Sequence, residues 1–195
     1  MLKITHIEKL CYPIDYTIDR KKFDDSFITL LGQLGITYDN NSAFSINLTH
    51  LPGLTGTDRW KQYTGDHPAL LAEGIDETDF TEHLSELEDL YIGQVIHDIQ
   101  NLHNGVFQGR IQLIWIGPKG SYPLHKDLHT TSRYHIPVIT NEECFWIFKK
   151  DSDSYKLHMP ADNKVWYVDP TRILHTFVNN SKTTRCHLVM TSGKD

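Results

Sequence analysis

The sequence predicts a mainly β chain, a sandwich or barrel of short antiparallel strands with a helical N-terminal part packed on it. Two observations carry this expectation. After Gly109, short apolar or aromatic runs alternate with clusters of turn-forming residues at regular spacing, as hairpins of a sandwich or barrel do. Before it, residues 81–102 place Leu84, Leu87, Tyr91, Val95, Ile99 and Leu102 three or four apart, the period of a half-buried helix. The change falls near Gly105. With 195 residues, one domain is the expectation. Residues 1–104 are read as its N-terminal helical and loop portion, carrying substrate-side elements, and 105–195 as its β core.

Taken in order, residues 24–34 form a short helix, and 44–51 alternate as a strand does. Residues 52–74, rich in Gly, Pro and Asp, form a long loop. The helix over 81–102 follows. Strands are then expected at 110–116, 133–140, 144–149, 155–158, 164–168, 175–179 and 185–191. Turn-forming residues separate them at 117–120, 141–143, 151–154, 161–163 and 179–182.

Composition bounds the function. An apolar share of 39% with 23% charged residues is that of an ordinary globular protein, and no apolar run is long enough for a membrane span. A net charge of −6 without clustered Lys and Arg argues against a nucleic-acid partner. Three dispersed cysteines with no CxxC pair fit a reducing compartment, and the N-terminus lacks a secretory pattern, so a cytoplasmic location is expected.

The chemistry concentrates between residues 124 and 188. His125-Lys126-Asp127 is a His-x-Asp motif, and on extended backbone its two end side chains point the same way. Alone the motif is weak, because roughly one is expected by chance in a chain with this many histidines. His175 follows fifty residues later, and Arg185 ten residues after that. A jelly roll can gather such strand ends at its mouth. Two imidazoles and one carboxylate leave positions on Fe(II) for a chelating co-substrate and dioxygen, which makes His125, Asp127 and His175 the candidate metal ligands. Arg185, expected on the next strand of a hairpin turning at 180–182, can grip a carboxylate in two-point fashion.

Several segments in the same order resemble the aspartyl/asparaginyl β-hydroxylase family of Fe(II)/2-oxoglutarate oxygenases, which includes free-proline hydroxylases. They are residues 124–128 (Leu-His-Lys-Asp-Leu), 133–141 (Arg-Tyr-His-Ile-Pro-Val-Ile-Thr-Asn), 166–169 (Trp-Tyr-Val-Asp), 175–180 (His-Thr-Phe-Val-Asn-Asn) and 185–189 (Arg-Cys-His-Leu-Val). The resemblance spans about residues 107–192. It implies a double-stranded β-helix, a cupin-like jelly roll, with His125, Asp127 and His175 as iron ligands. It also implies Arg185 on the distal carboxylate of 2-oxoglutarate, Arg133 and His135 facing co-substrate and substrate carboxylates, and dioxygen as oxidant. The implied activity is hydroxylation of a C–H bond, with 2-oxoglutarate converted to succinate and carbon dioxide. Family members that act on Asp and Asn in protein domains can lack the acidic ligand, whereas this chain keeps Asp127, as three-ligand members do. It has Thr131 where the two-ligand members place a second substrate-binding Arg. A free amino acid or another carboxylate-bearing small molecule is therefore the favoured substrate, with a protein Asp or Asn side chain as the alternative.

Two other classes compete. A cupin-like zinc or manganese enzyme would use the same three ligands without a keto acid, but leaves Arg185 without a task. A non-catalytic module on the same barrel predicts degraded ligands, and all three are intact. The loop at 51–74, with Arg59, Trp60, Lys61 and Tyr63, is a candidate substrate lid. His129, His158 and His187 are expected to be structural or solvent-facing. Trp115, Trp146 and Trp166 are assigned to the core, and Asp169, Asn179 and Asn180 to turns.

Overall fold

Strand runs after Gly109 pair antiparallel into two facing sheets, as their spacing predicts. The computed structural model describes residues 8–102, 109–127, 132–150 and 152–192. The larger sheet has the order β1-β9-β6-β11-β5-β2, formed by Cys11–Thr17, Lys164–Val168, Arg133–Ile139, Arg185–Thr191, Ile111–Ile116 and Ser45–Asn47. The smaller one runs β10-β7-β8, formed by Leu174–Asn179, Cys144–Lys150 and Asp153–Leu157. Residues 121–125 extend it through bridges from Ser121 to Val178 and from His125 to His175. This is the expected two-sheeted jelly roll.

Period-two alternation gives the larger sheet two different faces. Leu113 and Trp115 of β5, Tyr134 and Ile136 of β6, and Cys186, Leu188 and Met190 of β11 meet two helices in one apolar cluster. Helix α1, Arg20–Gln33, supplies Phe23, Phe27 and Leu30 and starts at Asp19, whose side chain accepts from the Lys22 amide. Two short helices follow, α2 at Asp58–Lys61 and α3 at His67–Ala72. Helix α4, Tyr91–Asn101, supplies Ile92, Val95, Ile96 and Ile99. The other face looks across to the smaller sheet, where Ile116 and Val168 join Trp146, Phe148 and Phe177.

The N-terminal part differs from expectation in five places. The first helix begins at Arg20 rather than at 24, because the Asp19 cap lies that much earlier. The helix expected over 81–102 is helical only from Tyr91. Residues Glu82–His83 form a short strand, β4, and Ser85–Leu87 a single 3-10 turn. Leu84 and Leu87 are buried all the same, since a 3-10 turn repeats every three residues and mimics the helical spacing. Gly93 permits this arrangement: a Cβ there would lie 2.1 Å from the Leu87 carbonyl oxygen. The strand expected at 44–51 breaks at Leu48 into β2 and β3, Thr49–His50, which pair with β5 and β4 respectively. The loop at 52–74 contains α2 and α3. Strand β1, which the sequence reading leaves unassigned, is an edge strand with Pro13 and a register shift, the features that weaken a strand pattern.

Strands β1 and β2 join the sheet whose other four strands come from the second half of the chain. Gly105, where the change of pattern was placed, lies outside the described residues, as do His129 and Thr131. The segment from His175 to Arg185 is not a hairpin. Strand β10 belongs to the smaller sheet and β11 to the larger one, so the chain crosses between sheets, and Arg185 ends up on the wall opposite His175. Asn179 braces that crossing rather than simply turning, for its amide donates to the carbonyls of Ile116, Gly117 and Thr183.

Candidate active site

His125 and His175 are direct cross-strand partners. Each donates its backbone N–H to the other's carbonyl, at 3.0 and 2.8 Å, which places both side chains on one face. Their ring centroids are 4.5 Å apart. The Nδ1 atom of each ring meets the carbonyl two residues earlier, Pro123 at 2.7 Å and Ile173 at 3.2 Å. A proton held there on Nδ1 lets Nε2 give its lone pair to a metal, the form a metal requires, in place of the hydrogen bond that His125 Nε2 makes to Asp127. Asp127 is placed by its amide bond to the Pro170 carbonyl. Its Oδ1 lies 3.2 Å from His125 Nε2 and 3.7 Å from His175 Nε2. Ligand atoms of these three residues all fall within 4.8 Å of one another, so one ion can be shared by them. His125 is partly exposed while His175 is buried, so the site opens to solvent on the His125 side.

Electrostatics favour a ligand-ready carboxylate. Burial alone would raise the Asp127 pKa, but the hydrogen bond with His125 and the Arg133 guanidinium outweigh it and hold it well below the usual carboxylate range. The same hydrogen bond raises the His125 pKa, whereas burial lowers that of His175.

The second oxygen of Asp127, Oδ2, accepts from Arg133 Nε at 2.7 Å. Arg133 was expected to face a co-substrate or substrate carboxylate. Its other nitrogens donate to Thr191 Oγ1 at 2.9 Å and to Glu77 Oε2 at 3.2 Å, so every nitrogen of the fork is committed to protein. Glu77 is fully buried and also accepts from Arg110, which reaches the carbonyls of Tyr63 and Gly65.

On the facing wall, Arg185 is 3% exposed, and its Nε and Nη2 have no partner among the described residues. Its Cζ lies 3.7 Å above the Phe177 ring of the opposite sheet. Burial, with no counter-anion among the described residues, pulls its pKa down to about 9. His135 and His187 share this interior, buried, with neither ring nitrogen paired among the described residues. Burial, then the nearby Arg185 charge, pushes both pKa values well below the ordinary imidazole value, so both rings are neutral. Ring contacts connect the two ends of the chamber. Trp146 touches His175 and His135, His135 touches His187, and His187 touches Phe177 beneath Arg185.

His125, Asp127, His175 and Arg133 thus meet at one end, with His135 and Arg185 farther along the same interior. His187, expected to be structural or solvent-facing, is a chamber residue. The signal for it was present, because it lies two residues after Arg185 on a strand and so must share its face. Trp146 fills core space as expected and also forms the chamber wall. Glu77 and Thr191 were missed. A surface groove of about 600 Å³, lined by Phe44, Trp115, Gly117 and Tyr122 among others, contains none of the triad. The site is therefore assigned by donor chemistry rather than by cavity size.

No protein-family model and no curated protein matches the sequence. Solved structures do match in fold. A prolyl-4-hydroxylase from Pseudomonas putida superposes with a TM-score of 0.52 at 9% identity, over 94% of this chain and 92% of that one. An oxidoreductase of the 2OG-Fe(II) oxygenase family from Burkholderia pseudomallei does so with a TM-score of 0.50 at 11% identity, over 95% and 84%. This chain shares the fold of these oxygenases. Among the described residues, no helix is long and apolar enough to cross a membrane.

The residues fit the groups that such oxygenases use. A two-imidazole, one-carboxylate set with Nε2 atoms turned inward suits Fe(II). A buried guanidinium with unpaired donors suits the carboxylate of a keto acid.

Proposed function

We propose that this protein is an Fe(II)- and 2-oxoglutarate-dependent dioxygenase that hydroxylates a C–H bond of an amino acid or a related carboxylate-bearing small molecule. The observation that carries the reading is the pairing of a convergent His125, Asp127 and His175 with the unpartnered, buried Arg185 of the opposite sheet. Iron and 2-oxoglutarate would supply oxygen activation, coupled to decarboxylation of the keto acid to succinate. The remaining tasks fall to the protein. His125 and His175 bind through Nε2 while the Pro123 and Ile173 carbonyls hold their tautomers. Asp127 offers Oδ1, and Arg133 keeps Oδ2 occupied. Arg185 takes the distal carboxylate and so gains the anion its buried charge lacks. His135 and Trp146 line the space between and exclude water. The loop at 51–74 serves as lid, its Arg59 tethered to Glu86 at 2.7 Å. A cytoplasmic location accompanies this reading.

A second reading, hydroxylation of an Asp or Asn side chain in a protein, is supported by the resemblance to the aspartyl/asparaginyl β-hydroxylases. Tyr122 and Leu124, exposed beside the open His125 edge, offer apolar surface to a peptide. The zinc or manganese alternative leaves Arg185 buried and unpaired, a costly arrangement without a purpose. An anaerobic titration with Fe(II) and 2-oxoglutarate, read by the visible charge-transfer band of the chelate, tests the assignment. The band is expected in the wild type, absent in His125→Ala, and shifted to much higher keto-acid concentration in Arg185→Ala. Iron bound without a band would overturn the 2-oxoglutarate reading. Succinate release with free amino acids against Asp- or Asn-containing peptides separates the two substrate classes.

A further inference from the structure

We propose that Glu77 is a positioning residue for the metal ligand Asp127, acting through Arg133. The inference rests on the metal site proposed above and deepens it. Asp127 turns Oδ1 toward the imidazoles, and it can do so reliably only if rotation about its terminal torsion is restrained, since that torsion is intrinsically broad. Arg133 Nε supplies the restraint at Oδ2. A guanidinium at the end of a long flexible chain needs a restraint of its own. Glu77 and Thr191 provide it by accepting from the two terminal nitrogens.

Charge gives a second reason. Arg110, Glu77, Arg133 and Asp127 alternate in sign along one line, buried at Arg110 and Glu77 and partly exposed at Arg133 and Asp127, two cations and two carboxylates. The line is balanced before a metal ion arrives. Neutralising Glu77 leaves one cation in excess beside the position where a divalent cation must bind, and it releases the far end of the Arg133 fork. Both changes oppose metal binding. Glu77 belongs to the 3-10 turn Glu77–Asp79, and Arg110 ties that turn to the carbonyls of Tyr63 and Gly65. The N-terminal part of the chain thereby completes the metal centre, outside every motif that reveals the ligands.

Co(II), whose visible bands report coordination, is titrated into metal-stripped full-length protein. Wild type is compared with His125→Ala, Glu77→Gln, Glu77→Asp and Asp25→Asn, the last removing a carboxylate from an exposed pair on α1. Glu77→Gln is expected to weaken Co(II) binding roughly 10- to 100-fold with altered bands, the range seen when partners of metal ligands are removed. Glu77→Asp should fall between, and Asp25→Asn should match wild type. Within an Arg133→Gln background, Glu77→Gln should add about twofold or less, because the two act in series. Thermal melts establish that each variant is folded. Wild-type affinity in folded Glu77→Gln overturns the proposal, and an equal effect in both Arg133 backgrounds overturns the route through Arg133. If Glu77→Gln does not fold, wild-type affinity in Glu77→Asp overturns it instead. Indistinguishable Co(II) binding by wild type and His125→Ala would mean that the metal site itself has been misassigned, a different failure.

Discussion

The two faces of the larger sheet are made by the same strands and are both buried, yet they follow opposite rules. Toward the helices, β11 presents Cys186, Leu188 and Met190, which pack with Phe23, Leu30, Val95 and Ile96. Toward the smaller sheet it presents Arg185, His187 and Thr191, and the first two carry ring or guanidinium nitrogens without partners among the described residues. Buried polar groups are nearly always paired in a folded protein, because leaving one unpaired costs about 1–3 kcal/mol and more for a charge. One face is therefore optimised for stability. The other holds a stability cost that an anionic ligand at Arg185 would offset.

That contrast can be broken from either side. Truncating the helix-facing residue should be the larger insult: Leu188→Ala removes a fully buried side chain and is expected to cost about 2–5 kcal/mol. Denaturant unfolding measures this. Because the chamber is untouched, 2-oxoglutarate affinity in the folded fraction should stay at the wild-type value. A fall in affinity matching that of an Arg185 variant would show that the two faces are not separable.

The reciprocal change comes next in size. Arg185→Met removes the guanidinium and keeps an apolar chain over Phe177. Replacing a buried, unpaired charge by a hydrophobic residue is neutral or stabilising, so unfolding free energy should hold or rise. Keto-acid affinity should fall by about 3 kcal/mol, roughly 100-fold, the worth of a charge-assisted two-point contact. Calorimetric titration with Fe(II) present reads the second quantity. A destabilised Arg185→Met would mean that the guanidinium serves the fold.

The same contrast explains what could be read from the sequence. Every strand from β5 to β11 was legible, because alternation and turn residues act locally and the helices leave that pattern intact. The candidate ligands could be picked out too, since His125 and Asp127 sit two residues apart and His175 and Arg185 stand on predicted strands, and the structure brings His125, Asp127 and His175 within reach of one another. The N-terminal part was harder. There the burial of Leu84 and Leu87 is achieved by a short strand and a 3-10 turn, whose spacing reads as helix. Which sheet a strand joins depends on the crossing after Asn179, not on any local period, so the hairpin expected between His175 and Arg185 was wrong. Glu77 was illegible for the same reason. Its partners Arg110 and Arg133 lie 33 and 56 residues away, and no pattern links them.

The smallest expected effect concerns acid. Burial holds His135 and His187 neutral in the folded chain, with pKa values well below the ordinary 6.5. The unfolded chain takes up those protons near pH 6.5 and the folded chain does not. Stability contributed by the neutral rings is therefore complete above about pH 6.5 and is lost as pH falls below it. Between pH 7 and 5.5 each such histidine should cost about 1 kcal/mol. His187→Gln removes one of them, so its loss over that interval, measured by urea unfolding with chelator present, should be smaller than the wild-type loss by that amount. His125 and His175 titrate in both proteins and cancel in the difference. Arg185 stays charged throughout this range, so the comparison isolates one ring. Equal losses would mean that His187 takes up a proton in the folded chamber. In that case it would itself supply a second cation for the keto acid, and 2-oxoglutarate binding would strengthen on acidification.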